Sequence, residues 1–380
     1  MFYLQVRSLD SDSQHQMYQK RSQIAVVDFF WIGGQSLEIP RGENLCIDGS
    51  ITGWSEAELA CWEFNILRSL KYFEDVNNPL VMWDITALLL AFKKDAPTFV
   101  DNILVKWIST WFEQVDDPLE ILLHDHKRLL MLNSRQIQLL NVICRRVVLS
   151  EVEVDFCTEE QLKYVRLNNN ERKVESWMEF LIRSEQELQE RLVAFTLHFV
   201  QKHPAHSRDI LETSSNWLPV GVAQVEQWVS INHELVHSEL RILGSEVAEL
   251  KGRNDGIFEY VKEEICSFCS APVPFESPQA ARCEGIVNND GSRERHKLTR
   301  CGVSMRLCPL TKPLWFCKCC QRRVANLPPR LFFTTADSPL NVTNYNSYSA
   351  FHAHPIPLCP FCGILLQRSM PDFLLSTSPV

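Results

Sequence analysis

Ten of the fourteen cysteines fall between Cys266 and Cys362, and six of these form three Cys-x-x-Cys pairs: Cys266/Cys269, Cys317/Cys320 and Cys359/Cys362. The same last 115 residues hold thirteen of the nineteen prolines, so they cannot be filled with long helices or central strands. A stretch so poor in apolar periodicity needs another source of cohesion. Either disulfides or metal ions can supply it, and the compartment decides between them. Met1 to Asp10 lacks the apolar core of a secretory signal. The best apolar run, Ala87 to Phe92, is far short of the roughly 20 residues that span a bilayer. A reducing compartment is therefore expected, and the pairs read as zinc ligands.

Zinc in a structural site takes four nitrogen or sulfur ligands in a tetrahedron. Three pairs supply six ligands, and two more complete two closed sites. The candidates for the remaining places are Cys283, His296, Cys301 and Cys308, in that order of preference. Cys319, inside a pair, reads as a spare. The expected ligand set is Cys266, Cys269, Cys283, His296, Cys301, Cys317, Cys320, Cys359 and Cys362, holding two Zn²⁺ ions. Gly363 follows the last pair, where a tight turn brings backbone amides towards the thiolates. Cys46, Cys61, Cys144 and Cys157 sit among apolar neighbours and read as core.

Ahead of this segment the chain reads differently. Residues 55–260 carry helical periodicity. Ser55 with Glu58 suits a capping box, Pro79, Pro97 and Pro118 each suit a first helical turn, and Ser134 can cap a helix to Val148. Residues 171–203 predict one long amphipathic helix through Val174, Trp177, Leu181, Leu188, Leu192, Phe195 and Phe199. A last helix is expected from Val229 to Leu250, with spacing that suits a partner helix in this chain or another. Residues 1–54 hold an apolar run, Ile24 to Ile32, that reads as a strand buried on both faces. The fold class expected is a mainly α-helical scaffold (55–260), then a small loop-rich, treble-clef or RING-like two-zinc domain (261–380). A short β remnant (1–54) precedes both.

Charge follows the same division. Residues 266–380 hold 12 Lys+Arg against 6 Asp+Glu, a net of +6, and residues 1–265 hold 26 against 41, a net of −15. The basic segment could lie near DNA or an acidic partner, but no recognition helix is evident, so DNA contact would be indirect.

One further motif tempts an enzymatic reading. His233-Glu234-Leu235-Val236-His237 matches HExxH, which on a helix sets two imidazoles on one face for a catalytic zinc. No third ligand stands out, and His233 continues the apolar stripe of Val229, Val236 and Leu240, so helix packing is its preferred role. His352 and His354 read as solvated. Thirteen glycines leave little for a phosphate loop, and no GxSxG elbow or acetyl-CoA turn is present.

The segments SFCSAPVPFESPQAARC (Ser267 to Cys283, with the preceding Cys266), HKLTRC (His296 to Cys301), PLWFCKCCQR (Pro313 to Arg322) and CPFCGILLQR (Cys359 to Arg368) occur in this order. Together they resemble the zinc-finger domain of the transcription factor IIIC subunit that joins a β-propeller to a zinc-binding C-terminus, in its plant form. The resemblance covers roughly residues 260–380. It implies a nuclear protein in RNA polymerase III transcription of tRNA and 5S rRNA genes, in contact with other subunits of that factor and the polymerase machinery, and with no membrane. It also implies that this chain lacks the propeller, with residues 1–54 as its junction. Histone acetyltransferase activity is ascribed to the animal relative, and no motif here carries it over. The alternative reading is a RING-type ubiquitin ligase, with an HExxH metalloprotease third.

Overall fold

The computed structural model describes residues 2–8, 25–31, 56–76, 79–112, 118–150, 172–202, 221–253, 264–287, 293–310, 312–328, 332–333 and 356–369. Strand β1 (Phe2–Ser8) pairs antiparallel with β2 (Ala25–Trp31), Phe2 opposite Trp31 and Ser8 opposite Ala25. Among the described residues no third strand joins this ribbon. The strand expected around residues 24–32 is thus present, as one half of a hairpin.

The scaffold is helical. Helices α1 (Glu56–Val76), α2 (Pro79–Asp95) and α3 (Pro97–Ser109) pack on one another. Pro79, Pro97 and Pro118 each occupy the first helical position, where a missing N–H costs nothing. Short helices α4 (Pro118–His124) and α5 (His126–Met131) lead to α6 (Ser134–Ile143). The cap of α6 is Asn133 rather than Ser134. The Asn133 side chain accepts the Gln136 N–H at 2.9 Å, and the Gln136 side chain accepts the Asn133 N–H at 3.0 Å, a complete capping box. Ser134 is buried, and its hydroxyl accepts from Arg191 at 3.1 Å.

Residues Cys144–Val148 continue α6 as a π-helical turn. Helix α7 (Arg172–Lys202) is the long amphipathic helix expected, and it packs against α4, α5, α6 and the π turn along its first half. Its second half meets α8 (Val222–Ile231) and α9 (Ser238–Arg253). The single last helix expected from Val229 to Leu250 is therefore two helices, broken at residues 232–237, and its partner is α7 of the same chain. No helix among the described residues is long and apolar enough to cross a membrane.

The cysteine-rich segment consists of short antiparallel pairs. β3 (Glu264–Ile265) pairs with β4 (Pro272–Val273), β5 (Ala280–Arg282) with β8 (Lys297–Thr299), and β6 (Ile286–Val287) with β7 (Arg293–Glu294). A three-stranded sheet follows, with β9 (Leu314–Phe316) between β10 (Arg323–Val324) and β11 (Gln367–Ser369).

The packing does not divide at residue 260. One continuous core joins the side chains of α1 to α7 with Cys301, Val303, Cys317, Cys320, Val324, Cys359, Phe361 and Ile364. A second core joins the end of α7 with α8 and α9, and Met305 from the cysteine-rich segment is buried in it. Hydrophobic burial of this kind is worth about 25 cal/mol per Å². It makes the later part of this segment a face of the scaffold instead of a tethered domain.

Candidate metal centres

The eight paired ligands form two groups. In one, the ligand atoms of Cys266, Cys269, Cys283 and His296 all lie within 4.8 Å of one another; in the other, those of Cys317, Cys320, Cys359 and Cys362 do. A tetrahedral ion with metal–sulfur bonds of about 2.3 Å sets its sulfurs about 3.8 Å apart. Cys269 Sγ is 3.7 Å from Cys283 Sγ, Cys283 Sγ is 3.7 Å from His296 Nδ1, and Cys320 Sγ is 3.6 Å from Cys359 Sγ. Donor chemistry and spacing both fit a four-coordinate metal ion.

The backbone explains why Cys-x-x-Cys is the repeating unit. At Cys266 the N–H donates to the Ala271 carbonyl at 2.8 Å, and the Ser270 N–H donates back to the Cys266 carbonyl at 2.9 Å. Cys317 repeats this with Arg322 and Gln321, and Cys359 with Ile364 and Gly363. Each turn closes on a residue in the left-handed region: Ser270 at φ 56°, Gln321 at φ 59° and Gly363 at φ 63°. Such a knuckle presents both thiols to one point. It also aims an amide at sulfur, as where the Cys320 N–H donates to Cys317 Sγ at 3.5 Å.

Cys283 and His296 reach the first group by another route. They lie just beyond the ends of β5 and β8, and the Cys283 N–H donates to the His296 carbonyl at 3.2 Å. The β6–β7 pair takes up the residues between them, so their sequence separation costs nothing in space. The His296 N–H also donates to Cys283 Sγ at 3.0 Å.

Cys301, expected as a ligand, belongs to neither group. It opens a fourth turn of the same type: its N–H donates to the Arg306 carbonyl at 2.7 Å, the Met305 N–H donates back at 2.8 Å, and Met305 has φ 56°. The position of the second cysteine is taken by Ser304. Cys301 Sγ instead accepts the N–H of Ala325 at 3.2 Å and of Ser304 at 3.5 Å. This turn links the two groups, since the Gly302 N–H also donates to the Arg323 carbonyl. Cys308 stays outside both groups, and burial pushes its thiol up to about 12, with the neighbouring Cys301 charge adding to this. Cys319 is buried and also apart. Cys144 is core as expected, and Cys61 is half-buried on α1. Cys46, Cys157, His352 and His354 lie outside the described residues.

The second group is enclosed by the scaffold. Its four cysteines are buried, and α6 lays a polar stripe over the Cys359 knuckle. Arg135 donates to the Gly363 carbonyl at 3.3 Å, Gln138 to Pro360 at 2.7 Å, and Asn141 to Phe361 at 3.3 Å. The π turn widens the helix so that consecutive side chains can both serve the site, as such turns often do at functional places. Arg146 donates to the Lys318 carbonyl, and Arg145 donates to Glu185 of α7 at 2.5 Å. Glu185 also accepts from Arg322 at 2.7 and 3.1 Å, and Arg322 stacks 3.9 Å from the Phe361 ring.

Burial opposes ionisation of Glu185, but Arg145 and then Arg322 outweigh it and hold the carboxyl below its usual range. For Cys320, burial is likewise outweighed, here by hydrogen bonds from Cys317, Cys359 and Cys362 and by the Arg322 charge. Its thiol is held well below the ordinary value. In the same quartet the hydrogen bond with Cys320 pushes Cys317 well up and burial pushes Cys362 well up; the thiolate is the form that binds metal. Sequence reasoning missed this stripe, although Arg135, Gln138, Asn141 and Arg145 recur at helical spacing between the apolar residues Ile137, Leu140 and Cys144.

The HExxH motif lies in the turn between α8 and α9, so its histidines share no helix face. His233 is exposed. His237 turns to α7, its Nε2 3.2 Å from Glu187 and 3.6 Å from Glu190, while its N–H donates to Glu190 at 3.1 Å.

Comparison with protein-family models, with curated proteins and with solved structures returned no match for this chain. By its own geometry the chain is a mainly helical protein with two Cys/His clusters, each able to hold a metal ion.

Proposed function

We propose that the chain is a non-catalytic structural zinc protein, a helical scaffold whose two zinc ions hold a docking surface for other subunits of a nuclear transcription complex. The observation that carries this reading is the consecutive filling of two closed quartets, Cys266/Cys269/Cys283/His296 and Cys317/Cys320/Cys359/Cys362. Four protein ligands leave no coordination position for water or substrate, which is the signature of structural rather than catalytic zinc. Soft thiolates with a single imidazole favour zinc among the abundant divalent ions.

Consecutive filling also bears on the alternative. A RING domain interleaves its ligand pairs, the first with the third and the second with the fourth. Here the first four ligands share one group and the last four the other. The second group combines two knuckles with a three-stranded antiparallel sheet.

The ordered segments from Cys266 to Arg368 support placing the chain beside the zinc-binding subunit of transcription factor IIIC, acting in RNA polymerase III transcription. Chromatin immunoprecipitation of the tagged full chain, with mass spectrometry of what co-purifies, tests this. Enrichment at tRNA genes together with polymerase III factors is expected. Recovery of ubiquitin-conjugating enzymes without tRNA-gene enrichment would overturn it.

A further inference from the structure

The two groups differ in how they are enclosed. Cys317, Cys320, Cys359 and Cys362 are all buried in the core they share with α1 to α7. In the first group Cys269 and His296 are only half-buried. Apart from Cys266 and Cys283, the buried apolar side chains around it are Val273, Ala281 and Leu298. The imidazole of His296 is covered by the stacked ring of Phe268, centroids 5.1 Å apart, and that ring is itself 60% exposed.

We infer that the Cys266/Cys269/Cys283/His296 centre is an exchangeable metal site, open to a small anionic chelator or thiol from the side of Cys269 and His296, whereas the other centre is sealed. This rests on the reading that both groups hold zinc. The reasoning is one of local against global opening. A ligand is displaced only when a competitor reaches the ion, so exchange follows the least costly opening that exposes it. For the first group that opening moves a few short strands. Arg300 keeps the region attached meanwhile, because it is buried and donates to Glu264 and to the Met305 carbonyl. For the second group, exposure requires lifting α6 and the π turn, with the four donors Arg135, Gln138, Asn141 and Arg146, off two knuckles, which disrupts the main core.

The test uses the full chain as isolated with its metal, mixed with excess EDTA. Bound zinc is counted by native mass spectrometry over time, with tryptophan fluorescence reporting on the helical core through residues such as Trp107 and Trp177. One equivalent should leave at least about tenfold faster than the other, with no change in fluorescence. The second should leave only as the fluorescence changes. The Cys269→Ala chain should stay folded by circular dichroism and carry a single, slowly released zinc. Release of both equivalents together, a fluorescence change with the first, or unfolding of Cys269→Ala would overturn the inference alone. Fewer than two zinc ions before EDTA is added would overturn the two-zinc reading, and the inference with it.

Discussion

Gly363 is the position where the metal centre and the scaffold constrain one residue together. Its φ of 63° is not by itself a demand for glycine, since Ser270, Met305 and Gln321 adopt the same region at the same place in their own turns. What differs is the surroundings. A Cβ on Gly363 would lie 2.1 Å from Arg135 Nη1 and 2.7 Å from Gln138 Oε1. Arg135 cannot swing clear at no cost, because it is buried with its guanidinium 4.0 Å from the Phe73 ring. In Gly363→Ala, then, the left-handed backbone costs about 1 kcal/mol. Displacing the donors that serve Gly363 and Pro360 costs about 1–3 kcal/mol for each buried group left unpaired. The sum is about 3–7 kcal/mol, or a fall in Tm of about 6 °C or more at about 2–4 °C per kcal/mol for a core of this size. Thermal unfolding of the zinc-loaded chain by circular dichroism measures it. Gln321→Gly is the control and should shift stability by about 1 kcal/mol or less, since it relieves backbone strain and removes one exposed hydrogen bond to the Lys318 carbonyl. A Gly363→Ala chain within about 1 kcal/mol of the parent would refute the claim that α6 docks on the knuckle.

Gly221→Ala would set a Cβ 1.7 Å from the Ser304 carbonyl oxygen, which is backbone and cannot give way. A loss of about 1–3 kcal/mol is expected in chemical denaturation, with both metals retained. Cys301→Ala should likewise keep two metal ions per chain in elemental analysis, because Cys301 bonds amides and belongs to neither quartet; loss of one ion would restore it as a ligand. His237 supplies a pH dependence. The hydrogen bond to Glu187, with the charges of Glu190, Glu187 and Glu239, outweighs burial and raises its pKa above the ordinary 6.5. Its contribution is therefore fully present below pH about 6.5 and is lost as pH rises through the raised value. Stability measured from pH 6 upward should fall across that window and fall less in His237→Ala; parallel curves would count against the contact.

Much of this was legible from spacing, because the responsible forces are local. Three prolines at first helical positions mark α2, α3 and α4, and the apolar stripe from Val174 to Phe195 runs along α7. The Cys-x-x-Cys pairs are legible for the same reason, since each is a single turn whose geometry its own residues set. What spacing could not separate was Cys301 from Cys283 and His296. The first opens a knuckle with serine where the second thiol would be, and the other two meet only because β5 pairs with β8. The break at residues 232–237 was missed because Val229, Val236 and Leu240 keep helical spacing across it, while His237 leaves the helix to meet α7. Nor does composition, which changes abruptly near residue 260, disclose that Cys359 and Phe361 are packed with Ile143 and Leu181 in one core.

The account turns on two closed centres of unlike composition, and zinc K-edge X-ray absorption on the full chain addresses that directly. Across the two ions the nearest shell should contain seven sulfurs and one nitrogen. These should lie at about 2.3 and 2.0 Å with no water oxygen. A light-atom contribution large enough for a bound water on either ion, or a sulfur number averaging three or fewer per zinc, would contradict it.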